Sequence, residues 1–182
     1  MPNRQVALLR GINVGRAKRV AMAHLRALLE GLGYSDVRTL LNSGNVVFTS
    51  PAAPGAAAAR IEKALATGLG VSARVTVLTA ADLAAAVNEN PLLEVANDPS
   101  RLLAAFFGNP ADRAKLEPLL KQDWTPEALA LGTRVAYLWC ADGILASRLA
   151  AAVGRALGDA VTTRNWATVL KLHALTDGRP SA

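Results

Sequence analysis

The chain has 182 residues, 52% of them hydrophobic and 19% charged, which is enough apolar material for a buried core and excludes a disordered chain. One cysteine, Cys140, and two histidines, His24 and His173, exclude an internal disulfide framework and a cysteine-based zinc cluster, and leave little for another metal site. No apolar run reaches the roughly 18 residues of a membrane span, and the first residues show no signal-peptide pattern. We therefore expect a soluble cytoplasmic protein that binds neither metal nor membrane.

The positive charge is concentrated in the first part of the chain. The formal net charge is +6, from 20 Lys and Arg against 14 Asp and Glu. Residues 1–50 hold seven cations and two acids, whereas the remaining residues are almost neutral. Such a concentration indicates an anionic partner at one end of the molecule, with a solvated basic face as the alternative.

The first half of the sequence alternates between strand and helix patterns. Short apolar runs predict strands, and leucines three or four residues apart predict helices. Ser43-Gly44 predicts a two-residue hairpin loop, and Thr79 with Asp82 predicts a capping box. The predicted elements are strand Val6–Leu9, helix Ala21–Leu32, strands Asp36–Leu41 and Asn45–Ser50, helix Ala56–Leu69, strand Arg74–Leu78 and a helix from Thr79 to about Asn88.

The second half repeats this order after a proline-containing segment, Pro91–Ser100. Its predicted elements are strand Arg101–Phe107, helix Pro110–Leu120, strands Ala128–Leu131 and Arg134–Cys140, helix Gly143–Leu157 capped by Asp142, strand Ala160–Thr162 and a helix from Thr163 to about Leu175. The repeated order predicts an α+β fold of two ferredoxin-like (split β-α-β, α/β plait) subdomains from a duplication, each followed by an extra helix. The predicted domains are residues 1–92 and 98–178.

The topology of the first subdomain brings two polar segments together. Right-handed crossovers place the loop after the first strand and the first hairpin at the same end of the sheet. The loop, Arg10–Arg19, contains two glycines and four cations but no acid, and it leads into a helix N-terminus, a pattern typical of anion binding. It matches neither a P-loop nor a dinucleotide fingerprint. The alternative is a connection whose glycines serve only the turn.

The candidate ligand-binding residues follow from this convergence. The loop and the hairpin contribute cations for charge and small polar side chains for orientation. Thr162–Trp166 is a second polar cluster, which would contribute only if the second domain folds over the basic end. The candidates are Arg10, Asn13, Arg16, Lys18, Arg19, Asn42, Ser43, Asn45, Arg164 and Asn165.

Two blocks of sequence resemble a known bacterial family. The long block is ALLRGINVGRAKRVAMAHLRALLEGLGYSDVRTLLNSGNVVFTS, and the closing block is TTRNWATVLKL. Both resemble the DUF1697 family, with spacing that suits it over nearly the whole chain. The resemblance implies two ferredoxin-like subdomains and implies no activity, cofactor or catalytic residue. Arg16-Ala17 stands where family members often have a further glycine.

The sequence leads to three hypotheses about function, which differ in the binding partner. The leading hypothesis is a phosphorylated or otherwise anionic small molecule at the basic loop. Recognition of single strands by base stacking on the sheet is disfavoured, because strand Val6–Leu9 carries no aromatic residue and strand Asn45–Ser50 has only Phe48. Nucleic-acid backbone binding through the same loop stays open as the less favoured alternative. The third hypothesis is a structural module that forms a homodimer without a ligand. Whether the protein is an enzyme, and with which cofactor, stays open.

Overall fold

A computed structural model of the chain describes residues 3–14 and 18–178. The residues divide by contact into two compact units, Met1–Leu83 with Leu172–Ala182, and Ala84–Lys171. The domains predicted from the sequence, 1–92 and 98–178, stay a prediction. The helices and strands are β1 (Asn3–Leu9), α1 (Met22–Gly31), β2 (Ser35–Leu40), β3 (Asn45–Ser50), α2 (Pro54–Leu69), β4 (Val75–Thr79), α3 (Ala80–Asn88), β5 (Leu102–Phe107), β6 (Ala128–Leu131), β7 (Val135–Trp139), α4 (Arg148–Leu157), β8 (Val161–Asn165) and α5 (Trp166–Thr176).

Each unit is built on a four-stranded antiparallel sheet. The strand orders are β2-β3-β1-β4 in the first unit and β6-β7-β5-β8 in the second. One of the two central strands of each sheet is the first strand of its unit, β1 or β5, as split β-α-β connections require. The predicted fold class is therefore confirmed: an α+β arrangement consistent with duplicated ferredoxin-like units.

The core of the first unit lies between its sheet and helices α1 and α2. Alternate residues of β1, Ala7 and Leu9, belong to the same buried cluster as Leu25 of α1 and Ile61 of α2. The spacing of leucines in α1 buries one stripe of the helix and leaves the rest in solvent. Val6 and Leu8, on the opposite face of β1, are also fully buried, so both faces of this strand are covered as its continuous apolar run predicts.

One predicted helix type and two predicted helix starts in the second unit are wrong. The segment 110–121 forms two short 3₁₀ helices instead of one α-helix, and Pro118, which has no N–H to donate, lies in the second. Helix α4 begins after Ser147 and not after Asp142. Thr163 does not open a helix, because β8 continues pairing with β5 to Asn165, and α5 follows.

Candidate functional site

The basic loop and the first hairpin meet at one end of the first sheet, as predicted. The backbone N–H of Leu9 donates to the Gly44 carbonyl at 2.9 Å, and Asn13 Nδ2 donates to the Asn42 carbonyl at 2.7 Å. The start of β4 reaches the same end, where the Arg10 N–H donates to the Arg74 carbonyl at 2.9 Å. The antiparallel order of the sheet therefore gathers three chain segments at the basic end.

Asn13 holds this end of the sheet together. Its backbone has φ +55°, a left-handed conformation that Asn tolerates better than most residues. Its Oδ1 accepts from the Val20 N–H at 2.8 Å, and its Nδ2 donates to the Val20 carbonyl at 2.9 Å. With the bond to Asn42, the side-chain amide joins the loop, the approach to α1 and the hairpin. The structure thus uses this candidate ligand group to position the loop.

The hairpin loop differs from the predicted two-residue turn. Leu40 pairs with Asn45, so the loop has four residues, Leu41–Gly44. Asn45 is fully buried, and its Nδ2 donates to the Leu40 carbonyl and to Ser43 Oγ, both at 2.8 Å. The side chain of Asn45 therefore closes the longer loop from inside, a contact that the local turn pattern does not reveal.

A polar cleft of about 560 Å³ opens beside these segments. Its lining consists of Asn13, Arg19, Val20, Ala21, His24 and Asn42. Three of the predicted residues, Asn13, Arg19 and Asn42, are therefore brought together. His24 is not among the candidates predicted from the sequence. Its position one turn inside the predicted helix, next to the basic loop, could have indicated that it lines the cleft.

The first turn of α1 is a wall of this cleft. Its N-cap residue is Ala21, whose methyl side chain cannot accept a hydrogen bond, and the turn contains no acidic residue. The first N–H groups of a helix have no partner within the helix, and the helix dipole adds partial positive charge there. None of the described residues that line the cleft is acidic. The cleft is consequently positive, through Arg19 and through the backbone.

The remaining candidates of the basic end lie outside the cleft lining. Arg10 is half-buried at the end of β1, and Lys18 is exposed with φ +51°. Ser43 serves the hairpin through Asn45, and Arg16 lies outside the described residues. Sequence reasoning missed Arg74, an exposed cation next to Arg10; its place just before a strand antiparallel to β1 could have indicated it.

The last two candidates, Arg164 and Asn165, belong to the second unit. Arg164 is buried and donates to Thr162 Oγ1 and to the Thr163 carbonyl, both at 2.8 Å. Burial lowers the pKa of Arg164 to about 10, because the charged form loses hydration. Asn165 Oδ1 accepts from the Thr168 N–H at 2.9 Å, as an N-cap of α5 does. Both residues have structural partners, and their part in a ligand site stays a prediction.

The segments that form the cleft lie within the part of the chain that matches a known protein family. The family model described as "Protein of unknown function (DUF1697)" matches residues 2–137. The chain belongs to the DUF1697 family. The resemblance read from the sequence is therefore confirmed, and the match includes both the basic loop and the hairpin. The closing block TTRNWATVLKL lies beyond the matched residues.

Solved structures similar to this DUF1697 protein include one that matches almost its full length. It is the conserved bacterial protein SP0830 from Streptococcus pneumoniae, at 23% identity and a TM-score of 0.76. The similarity covers 97% of this chain and 99% of that one, and it shows the fold alone. No curated protein matches the chain.

The second unit of this DUF1697 protein contains a polar cluster that serves the fold. Glu127 accepts from the Ser147 hydroxyl and, at 3.3 Å, from the Leu149 N–H, while Ser147 Oγ accepts from the Ala150 N–H at 2.9 Å.

Burial raises the pKa of the nearby Cys140 thiol, which disfavours a nucleophilic thiolate. The described residues hold no group of three or more His, Cys, Asp or Glu that could bind a metal, and no helix among them could span a membrane.

Proposed function

We propose that the chain binds a phosphorylated or otherwise anionic small molecule in the polar cleft at the start of α1. The observation that carries the proposal is the pairing of Arg19 with a first helical turn that has neither a side-chain cap nor an acid. Arg binds phosphate and carboxylate through two parallel N–H donors, and helix N–H groups add further donors of fixed direction. Asn42, exposed at the rim, would orient the ligand.

The loop geometry supports this assignment. A loop that must be ordered on binding costs affinity, whereas a loop already in place does not. The three side-chain bonds of Asn13 hold the approach to α1 and the hairpin in register before a ligand arrives. The cleft walls at Asn13, Val20 and Asn42 are therefore preorganised.

The test is a titration of the purified protein with inorganic phosphate, pyrophosphate, sugar phosphates and nucleotides, followed by calorimetry and by the melting temperature. Arg19→Gln should weaken the best ligand by roughly 10- to 100-fold, because a charge-assisted bond contributes about 1.5–3 kcal/mol. Arg155→Gln is the matched control, since Arg155 is an exposed arginine at the end of α4. Equal affinities of the two variants would contradict the proposal.

The nucleic-acid alternative predicts a different dependence on salt. Arg10, Lys18 and Arg74 lie at the same end of the sheet and would contact phosphates outside the cleft. Duplex binding through several phosphates weakens steeply and uniformly as salt rises, whereas a cleft ligand saturates one site. Absence of binding across the panel would instead favour a structural module, for which the oligomeric state in solution is the measurement.

We also infer that the two sheets arose by duplication and that the protein works in the cytoplasm. Their equivalent strand orders support the first inference. The lone cysteine, buried as a thiol, suits a reducing compartment and supports the second.

A further inference from the structure

An apolar groove lies next to the polar cleft on the surface of the first unit. It has a volume of about 580 Å³ and runs between α1 and α2. Its walls are mostly small or aliphatic residues: Ala27, Leu28, Leu32, Ala64, Gly68 and Leu69. His24 lines both this groove and the polar cleft, so the two depressions adjoin at one side chain.

The helical repeat explains why the two depressions adjoin at His24. His24, Ala27, Leu28 and Gly31 lie at i, i+3, i+4 and i+7 and therefore share one face of α1. From His24 to Gly31 the helix rises about 10 Å. Ala27 and Gly31 remove side-chain bulk along this face, and Gly68 does the same on α2. A narrow apolar chain fits such a groove.

We infer that the ligand of this site is a single-chain anionic amphiphile, with its phosphate or carboxylate head in the polar cleft and its apolar tail in the groove. This inference rests on the proposed function, because the head group uses the same Arg19. The cationic, hydrogen-bonding end and the aliphatic end are complementary to the two halves of one such molecule. A head group alone would occupy the cleft and leave the adjoining groove in water, at a loss of apolar contact.

Binding of alkyl phosphates tests the inference directly. The titrated probes are inorganic phosphate, ethyl phosphate and octyl phosphate, with octyl glucoside as the uncharged counterpart, all below micellar concentrations. A fully buried methylene strengthens binding roughly four-fold. Because the groove is open on one side, we expect about two-fold for each added methylene, and weak binding of octyl glucoside. Equal affinities of ethyl and octyl phosphate would overturn the inference while leaving the proposed function intact.

A variant of the groove separates tail from head. Gly68 has ordinary helical φ, and a Cβ there would lie 3.6 Å from Leu28 Cδ1, a normal contact, so Gly68→Leu should fold and fill the groove. We expect it to lose at least ten-fold in affinity for octyl phosphate and to keep its affinity for ethyl phosphate. Gly154→Leu, at an exposed and uncrowded position of α4, is the matched control. Equal octyl phosphate binding by both variants would overturn the inference.

The remaining outcomes distinguish failure of the proposed function from failure of the inference alone. If neither these probes nor the pyrophosphate, sugar phosphates and nucleotides of the first titration bind the wild-type protein, the proposed function fails together with the inference. If octyl glucoside binds as tightly as octyl phosphate, and Arg19→Gln leaves the affinity for octyl phosphate unchanged, the groove binds alkyl chains whatever the charge of the head group. The anionic amphiphile assignment is then wrong. Co-sedimentation with phosphatidylglycerol vesicles, without binding of dispersed octyl phosphate, would indicate a membrane surface and would likewise overturn it.

Discussion

Asn13 should contribute more to the stability of the first unit than its half-exposed position suggests. Its side-chain amide makes three hydrogen bonds, at 2.7, 2.8 and 2.9 Å. At about 0.7 kcal/mol each for partly exposed bonds, Asn13→Ala loses about 2 kcal/mol. Alanine also resists the left-handed backbone, which adds about 1 kcal/mol. We therefore expect a free energy of unfolding lowered by about 3 kcal/mol.

Asp36 provides the control for the backbone part of this cost. It is exposed, it has φ +50°, and Asp36→Ala should cost only the left-handed strain, about 1 kcal/mol. Urea unfolding followed by far-UV circular dichroism gives both values. Hydrogen exchange of the Val20 amide, which donates to Asn13, should accelerate in Asn13→Ala alone. If Asn13→Ala costs no more than Asp36→Ala, the hydrogen bonds contribute nothing and the reasoning is refuted.

Two further predictions concern buried positions. Gly44→Ala would place a Cβ 2.8 Å from Leu9 Cβ and from Ile12 Cδ1, at a position with φ +88°. Urea unfolding should therefore show a free energy of unfolding lowered by about 3 kcal/mol, whereas Gly154→Ala should be neutral or stabilising. A loss below about 1 kcal/mol in Gly44→Ala would show that the hairpin moves freely. Cys140 is fully buried, and burial raises the pKa of its thiol. The native protein at pH 8 should therefore react slowly with a thiol reagent, and the urea-unfolded protein should react rapidly. Equal rates would show that the thiol is accessible in the native protein.

Element order and loop convergence could be predicted because they depend on patterns that are local or topological. Apolar periodicity is set by which face of an element is buried, and β1 and α1 follow it closely. The meeting of the Arg10–Arg19 loop with the hairpin follows from the direction of the strands alone. The capping box at α3 is also local, and the reciprocal bonds between Thr79 and Asp82, both at 3.0 Å, confirm it.

Two of the wrong predictions, the starts of α4 and α5, share a physical cause that local patterns do not contain. Ser147 caps α4 while its hydroxyl donates to Glu127, which is 20 residues away in the sequence. Asp142 and Ser147 are caps of similar quality by residue type, so tertiary contacts decide where this helix starts. In the same way, β8 extends to Asn165 because β5 offers a pairing partner, which outweighs the capping tendency of Thr163.

The candidate site shows the same division between residue type and tertiary role. Sequence reasoning assigned amide side chains to the ligand, yet Asn13 and Asn45 are bonded to backbone groups of the loop and hairpin. What the cleft offers an anion is therefore Arg19 together with the uncapped start of α1, the cation and the helix N-terminus that the loop pattern indicates. Because Asn13 and Asn45 set the walls and Arg19 supplies the charge, substitutions should separate into two kinds. Those at the asparagines should lower stability and affinity together, whereas Arg19→Gln should lower affinity and leave the free energy of unfolding nearly unchanged.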